Sequence, residues 1–209
     1  KERLQRTGFF ADVNIETPAV PGTQDQVDVN ITVTERNTGS LNFGVGYSQA
    51  DNLTLQASIS QGNIFGSGNQ LAFQVNSGSV NKVYSLSYVN PYWTPDGVAL
   101  GWDLYRRDVD TETLSVSTYK TTTTGLGATF GIPLTEFDTI RLGLAGERTE
   151  LQLDPSVSPP RYLDFVNQFG EITNTLRTTI GYARDTRDSL VYPTKGRLTD
   201  IGLEVGIPP

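Results

Sequence analysis

The 209-residue chain carries 16 Lys and Arg against 23 Asp and Glu, a formal charge of −7, the wrong balance for a general nucleic-acid binder, whose affinity rests on many cationic phosphate contacts. It holds no cysteine and no histidine, so disulfides, thiolate chemistry, Ser-His-Asp hydrolysis and the common zinc sites each lose a required part. Glycine is abundant at 21 residues, Thr, Ser, Asn and Tyr are frequent, and no apolar run reaches the length of about eighteen that a spanning helix needs. This all-β composition also suits a transmembrane barrel, which spreads its lipid-facing surface over every second residue.

Lys1–Thr7 (KERLQRT) has helix-forming residues with Gly8 directly after them, where helices commonly end in a left-handed conformation. Looser alternation follows through Phe10, Val13 and Ile15 in Phe9–Ala19. Pro21-Gly22 marks a turn, and Val27, Val29, Ile31 and Val33 share one face of Gln26–Arg36. The expectation is helix, strand, turn, strand. Residues 1–36 are too few for an independent core, so this piece has to pack on something else or be completed by residues upstream.

The alternation sharpens at Gly39–Ser48. After Gly39 and Ser40, apolar Leu41, Phe43, Val45 and Tyr47 alternate with small or polar Asn42, Gly44, Gly46 and Ser48, a strand signature at the boundary between a water-soluble module and a run of similar strands. A second strand is expected through Leu53, Leu55, Ala57 and Ile59, and a third through Leu71, Phe73 and Val75. Between them, Gly62–Asn69 (GNIFGSGN) is glycine-rich like a phosphate loop, but no helix pattern follows and no Lys-Ser/Thr pair closes it, so it reads as a tight turn.

A fourth strand runs through Tyr84, Leu86 and Tyr88 into Tyr92 and Trp93, followed by the turn Thr94–Gly97. Aromatics at a strand end suit a membrane interface, although a cluster capping a soluble barrel fits these residues equally well. Val98, Leu100, Trp102 and Leu104 mark a fifth strand, and Arg106–Lys120 reads as an exposed connection in which Asp108, Asp110 and Glu112 are solvated, because they lack the Gly and terminal Glu of a calcium loop. The sixth strand, Gly125–Leu134, has one apolar face and another almost bare of side chains. Ile140, Leu142 and Leu144 carry a seventh, and a Pro-containing loop spans Asp154–Glu171. Leu176, Thr178, Ile180 and Tyr182 carry an eighth.

Arg184–Gly196 (RDTRDSLVYPTKG) then reads as a charge-paired turn, since its acids have no histidine, nucleophile or metal-ligand partner nearby. In the ninth strand, Ile201, Leu203, Val205 and Ile207 oppose Asp200 and Glu204, so the carboxylate face belongs toward water and the aliphatic face toward lipid or a dry core. Soluble sandwich strands return about every 8–12 residues, whereas these recur at wider, unequal intervals, with short turns and long loops as in outer-membrane barrels. An odd count of about nine strands leaves such a barrel without its closing half. The chain therefore reads as a piece of a longer one, and no cofactor, metal or enzymatic chemistry is expected of it.

The ordered motifs KERLQRTGFF, PGTQDQVDV, ERNTGSLNFGVGYS, QGNIFGSGN, NPYWTPDGV and RDTRDSLVYPTKG together resemble the BamA family of outer-membrane protein assembly factors of Gram-negative bacteria, which join POTRA modules to a barrel. The resemblance covers essentially the whole chain. It implies a mainly β fold: the C-terminal helix-strand-strand part of the last POTRA module over residues 1–36, then the N-terminal half of an antiparallel transmembrane β-barrel over 37–209. It further implies location in the bacterial outer membrane with the N-terminal segment in the periplasm. The implied partners are unfolded outer-membrane proteins, accessory lipoproteins of the assembly complex and outer-membrane lipid, with no nucleic acid. In that family unfolded proteins are inserted at a lateral gate between the first and last barrel strands, so Gly39–Ser48 is the expected gate strand. A polypeptide-secretion transporter or passive pore of the same superfamily, working through its lumen, is the alternative.

Overall fold

The structure, a computed structural model, describes residues 4, 8–22, 25–49, 52–111, 119–188 and 192–207. The helix expected over 1–7 lies, apart from Leu4, outside the described residues. A two-stranded sheet comes first, β1 (Phe10–Glu16) against β2 (Asn30–Glu35), in register Val13↔Val33 and Ile15↔Ile31 with an irregularity between Phe10 and Asp12. Val13 is fully buried, yet Val27, Val29 and Ile31 stay more than half exposed, as expected of a piece too small to close its own core.

Nine strands then form one antiparallel sheet in sequence order: β3 (Gly39–Ser48), β4 (Asn52–Gln61), β5 (Gln70–Ser77), β6 (Asn81–Asn90), β7 (Ala99–Asp110), β8 (Tyr119–Pro133), β9 (Asp138–Leu153), β10 (Ile172–Asp185) and β11 (Leu198–Ile207). Each strand pairs with its neighbour in the chain. Among the described residues the sheet is not closed, and β3 and β11 are its edges.

Register turns the period-two alternation of separate strands into two continuous faces. One row runs Val45↔Leu55 and Phe43↔Ala57↔Val75↔Tyr84 across the first four strands. Another runs Leu100↔Phe130↔Leu142↔Ile180↔Leu203 across the last five. The opposite face carries Ser, Thr, Asn, Gln, Gly and nearly all the charge within the apolar band, for example Gly44↔Gln56↔Asn76 and Asp103↔Gly127↔Ala145↔Arg177. Little lies over the apolar face. The total accessible surface is 14640 Å², whereas a compact water-soluble monomer of 22.8 kDa exposes about 9,600 Å². The excess reflects an open sheet with both faces uncovered. No helix among the described residues is long and apolar enough to cross a membrane, which says nothing of a crossing made by strands.

Two connections differ from the expectation. Within the run Arg106–Lys120, expected to be an exposed connection, the described residues other than Thr111 are strand, with β7 continuing to Asp110 and β8 starting at Tyr119, while Glu112 lies outside the described residues. Its polar side chains do not break the ladder because they pair across it. Lys120 Nζ lies 3.0 Å from Asp110, and the Thr122 hydroxyl donates to Asp108 at 2.8 Å. The β-branched Thr121–Thr124 run favours the pleat. Within the expected loop Asp154–Glu171, Pro160–Phe169 forms a helix, α1. Pro160 occupies its first turn, where a missing N–H costs nothing, and Gly170 ends it at φ +85°.

Candidate functional site

The β3 edge is built from its root upward. Asn37 Oδ1 accepts from Gly39 N at 2.9 Å, and the Thr38 hydroxyl donates to the Gly62 carbonyl. Gln61 Nε2 donates to Thr38 Oγ1 at 3.1 Å and to the Gly62 carbonyl at 2.9 Å, while Gly62 N returns a bond to the Thr38 carbonyl at 3.1 Å. This polar clip fixes the start of the strand against the end of β4. Above it, Ser40 and Ser60 share a hydroxyl bond of 2.7 Å, and Asn42 Nδ2 donates to Ser58 Oγ at 3.3 Å. Past Asn42 the clip gives way to Gly44 opposite Gln56 and Gly46 opposite Thr54, where β3 contributes no side chain to the polar face.

All ten residues of Gly39–Ser48 lie in register on β4, and none has a strand partner on its other side among the described residues. The consequence appears in exposure. Leu41, Phe43 and Tyr47 are 78%, 73% and 77% exposed, against 43% for Phe73 two strands inward. An edge with free N–H and C=O groups and a bare apolar side is the arrangement that accepts another strand.

The turn Gly62–Asn69 sits beside this root. Its amides are consumed internally: Ile64 N donates to the Asn69 carbonyl at 2.9 Å, Ser67 N to the Ile64 carbonyl at 3.0 Å, and Gly68 N to Asn63 Oδ1 at 2.8 Å. With those donors satisfied the turn has no cradle for a phosphate, in agreement with the turn reading.

Tyr92 and Trp93 fall in the turn after β6, at the end of the sheet nearer the small N-terminal sheet. The turn closes through Trp93 N to the Val98 carbonyl at 3.0 Å and Gly97 N to the Thr94 carbonyl at 3.0 Å. Trp93 meets Phe130 edge-on, ring centroids 5.7 Å apart, which sets its indole on the apolar face at the rim. Both aromatics are 53% exposed, half covered as an interfacial ring is. They are not adjacent to β3 in the sheet order, so the structure brings the residues Gly39–Ser48 together on one edge and leaves these aromatics apart from them.

Sequence reasoning missed a second polar constellation on the inner face. Tyr105 donates to Glu147; Arg177 Nε lies 3.1 Å from Glu147, Arg177 Nη1 lies 3.6 Å from Glu204, and Arg177 Nη2 donates to Tyr105 Oη at 3.4 Å. Arg177 Nε, sealed from solvent, has this ion pair but no aligned hydrogen bond. Arg141 pairs with Asp200 on the same face. The bare glycines of β8 make room for these groups: a Cβ on Gly125 would stand 2.4 Å from Tyr105 Cζ, and one on Gly127 would stand 2.8 Å from Asp103 Oδ1. The signal available in sequence was the coincidence of Gly125 and Gly127 on β8's polar side with Arg177 and Glu204 on the polar sides of later strands.

The Arg184–Gly196 turn is held by its acids, as its sequence implies. Asp185 takes two bonds from the Arg187 guanidinium, at 2.9 and 2.7 Å. Asp188 accepts from Thr194 Oγ1 at 2.5 Å, Thr194 N at 2.9 Å and Lys195 N at 3.1 Å. These donors, the Thr194 hydroxyl first, pull the Asp188 carboxyl down to about 2.

Comparison with known proteins gives this architecture a lineage. Residues 63–209 match the Omp85 superfamily domain. The outer membrane protein assembly factor BamA of Neisseria meningitidis is 35% identical over 218 aligned residues, covering 100% of this chain and 27% of that protein. BamA of Nitratidesulfovibrio vulgaris is 29% identical, covering 94% of this chain and 24% of its own length. The chain thus spans about a quarter of the curated relatives it matches. The crystal structure of BamA from Haemophilus ducreyi lacking POTRA domains 1–3 superposes at a TM-score of 0.76 with 31% identity, covering 100% of this chain and 41% of that one. CdiB from Acinetobacter baumannii, at a TM-score of 0.60 and 12% identity over 98% of this chain and 39% of that one, shares the fold alone. By both its domain match and its full-length relatives, the chain belongs to the Omp85 superfamily.

Proposed function

We propose that this chain is the gate-bearing part of a BamA-type assembly factor that inserts unfolded β-barrel proteins into the bacterial outer membrane, with β3 as the edge on which an incoming strand pairs. The observation that carries this reading is that β3 has a neighbouring strand on one side only among the described residues, in a chain similar along its whole length to a named assembly factor. Backbone hydrogen bonds read conformation more than sequence, which suits a machine with many clients. Each bond contributes roughly 0.5–1.5 kcal/mol in water, but an unpaired group in hydrocarbon costs several kcal/mol. The membrane itself therefore drives substrate strands onto the edge, and no catalytic side chain is needed.

In this reading residues 1–36 end the last POTRA module on the periplasmic side, Tyr92 and Trp93 lie at the periplasmic membrane interface, and accessory lipoproteins of the assembly complex are further partners. The test is reconstitution of the full-length protein in lipid vesicles with a urea-unfolded outer-membrane protein as client. Wild type is expected to accelerate client insertion, and Val45→Pro, which removes a donor from the open side of β3, to abolish most of that acceleration while vesicle conductance is retained. Equal insertion by both proteins overturns the proposal.

A further inference from the structure

We propose that the outward face of β7 to β11 holds a binding site for one phosphate-bearing anionic lipid, its acyl chain lying over Gly146 and its phosphate on Arg148. This rests on the reading of the sheet as membrane-spanning and adds a specific lipid to it.

The site begins as a gap in the apolar face. One row of the ladder runs Leu104↔Leu126↔Gly146↔Leu176↔Ile207. Four of these positions carry branched aliphatic side chains, and the middle one carries none. A Cβ on Gly146 would meet nothing within 4 Å. Unlike Gly125 and Gly127, this glycine has no side chain folded over it. The result is an open groove of about 710 Å³, walled by Leu104, Leu126, Leu176 and Ile207.

The charge sits at the end of that groove. The adjoining row, one step farther from the small N-terminal sheet, reads Arg106↔Thr124↔Arg148↔Asn174, and Thr124, Arg148 and Asn174 line the groove. Alternation puts all four on the lipid side, where apolar residues give way to polar ones. The two arginines differ. Arg106 Nε lies 3.2 Å from both oxygens of Asp108, which neutralises it. Arg148 is exposed and makes no ion pair or hydrogen bond among the described residues. Glu150, the next outward residue on β9, takes a bond from Gln152 Nε2 at 3.2 Å and does not turn back to Arg148. An unpaired guanidinium on a lipid-facing surface, at the level where an apolar groove ends, is complementary to a phosphate: its planar fork donates two parallel bonds to phosphate oxygens, with Thr124 and Asn174 as polar neighbours.

The experiment uses the full-length protein in nanodiscs of equal phosphatidylglycerol and phosphatidylcholine, with lipids retained on the protein counted by native mass spectrometry after detergent release. Wild type is expected to keep one phosphatidylglycerol in preference to phosphatidylcholine. Arg148→Gln should lower that preference about tenfold, Gly146→Leu should displace the lipid whatever its headgroup, and Arg106→Gln should change little. A bimane label at Phe73→Cys, remote from the groove on the same apolar face, reports quenching by bromine-substituted acyl chains. Quenching at Phe73→Cys with identical lipid retention in wild type and Arg148→Gln overturns the lipid site alone. Absence of quenching overturns the membrane-spanning reading and the site with it.

Discussion

At Gly125 the smallest side chain is required by a neighbour rather than by the backbone. Adding a methyl there places it 2.4 Å from Tyr105 Cζ, so Gly125→Ala is expected to swing Tyr105 off Glu147 and Arg177 and to cost about 1–3 kcal/mol, as overpacking does. Combining it with Tyr105→Ala should remove the clash, so thermal midpoints of the two single variants and the double should be strongly non-additive; additive losses would show that the contact is not what excludes a side chain. Gly44 and Gly46 on β3 are unlike it and unlike each other. A Cβ on Gly44 meets Gln56 Cβ at an ordinary 3.8 Å, whereas one on Gly46 stands 2.7 Å from the Thr54 hydroxyl. Gly44→Val should therefore stiffen the strand without a clash and slow client insertion several-fold, while Gly46→Val also requires Thr54 to rotate. An insertion rate unchanged by Gly44→Val would contradict a role for glycine in opening the edge.

The Arg184–Gly196 turn makes its test through pH and through one glycine. Because the folded Asp188 carboxyl is depressed to about 2, below the usual carboxylate value near 3.9, its stabilisation is complete above that usual value and is lost as pH falls through about 2. The protection of the Thr194 and Lys195 amides relative to their intrinsic exchange rates is expected to hold from neutral pH to about 4 and to fall below it. In Asp188→Asn that dependence should vanish, and a wild-type profile flat to pH 2 would contradict it. Gly196 stands at φ +88° with its would-be Cβ 2.0 Å from the Thr186 carbonyl oxygen. Gly196→Ala is expected to cost at least about 1–3 kcal/mol, read as a lower thermal midpoint, because the obstacle is backbone and cannot move aside.

At the scale of elements, the strands were legible wherever one face is greasy and the other is not: Gly39–Ser48 has the same bounds in sequence and structure, and β4 to β6 and β9 to β11 were each recognised from three or four alternating residues. The signal failed where apolar alternation stops but the strand does not. Thr121–Thr124 and Arg106–Asp110 continue β8 and β7 because their polar side chains pair with each other above the apolar band, and hydropathy has no period to show there. It failed again at α1, where Pro159 and Pro160 read as loop residues although the second opens a helix. The inner-face cluster of Tyr105, Glu147, Arg177 and Glu204 left only a faint trace for a different reason: its members come from four strands, and register is what shows that they meet.

At the scale of the whole molecule, the balance of surfaces decides the solvent. A nine-stranded sheet whose described residues bury few apolar side chains, Leu100 and Ala145 among them, is unstable in water and at home in a bilayer. Its strands lengthen from 10 residues in β3 and 8 in β5 to 15 in β8 and 16 in β9. About 9–11 residues are needed to cross, so β3 and β4 are barely long enough and β5 falls just short, while β8 and β9 project beyond the membrane and carry their polar pairs there. The edge proposed to receive clients thus belongs to the shortest and least supported side of the wall, clipped at its root by Asn37, Thr38 and Gln61 and unpaired above. Disulfide mapping tests this most directly: single cysteines placed in turn from Leu41 to Tyr47 of the full-length protein, against cysteines along one strand of a client arrested during insertion. The expected result is a ladder in which the client partner advances one residue for each step along β3. Crosslinks absent from β3, or formed instead by control cysteines placed at Tyr105 and Arg107 on the inner face, would contradict strand pairing at this edge.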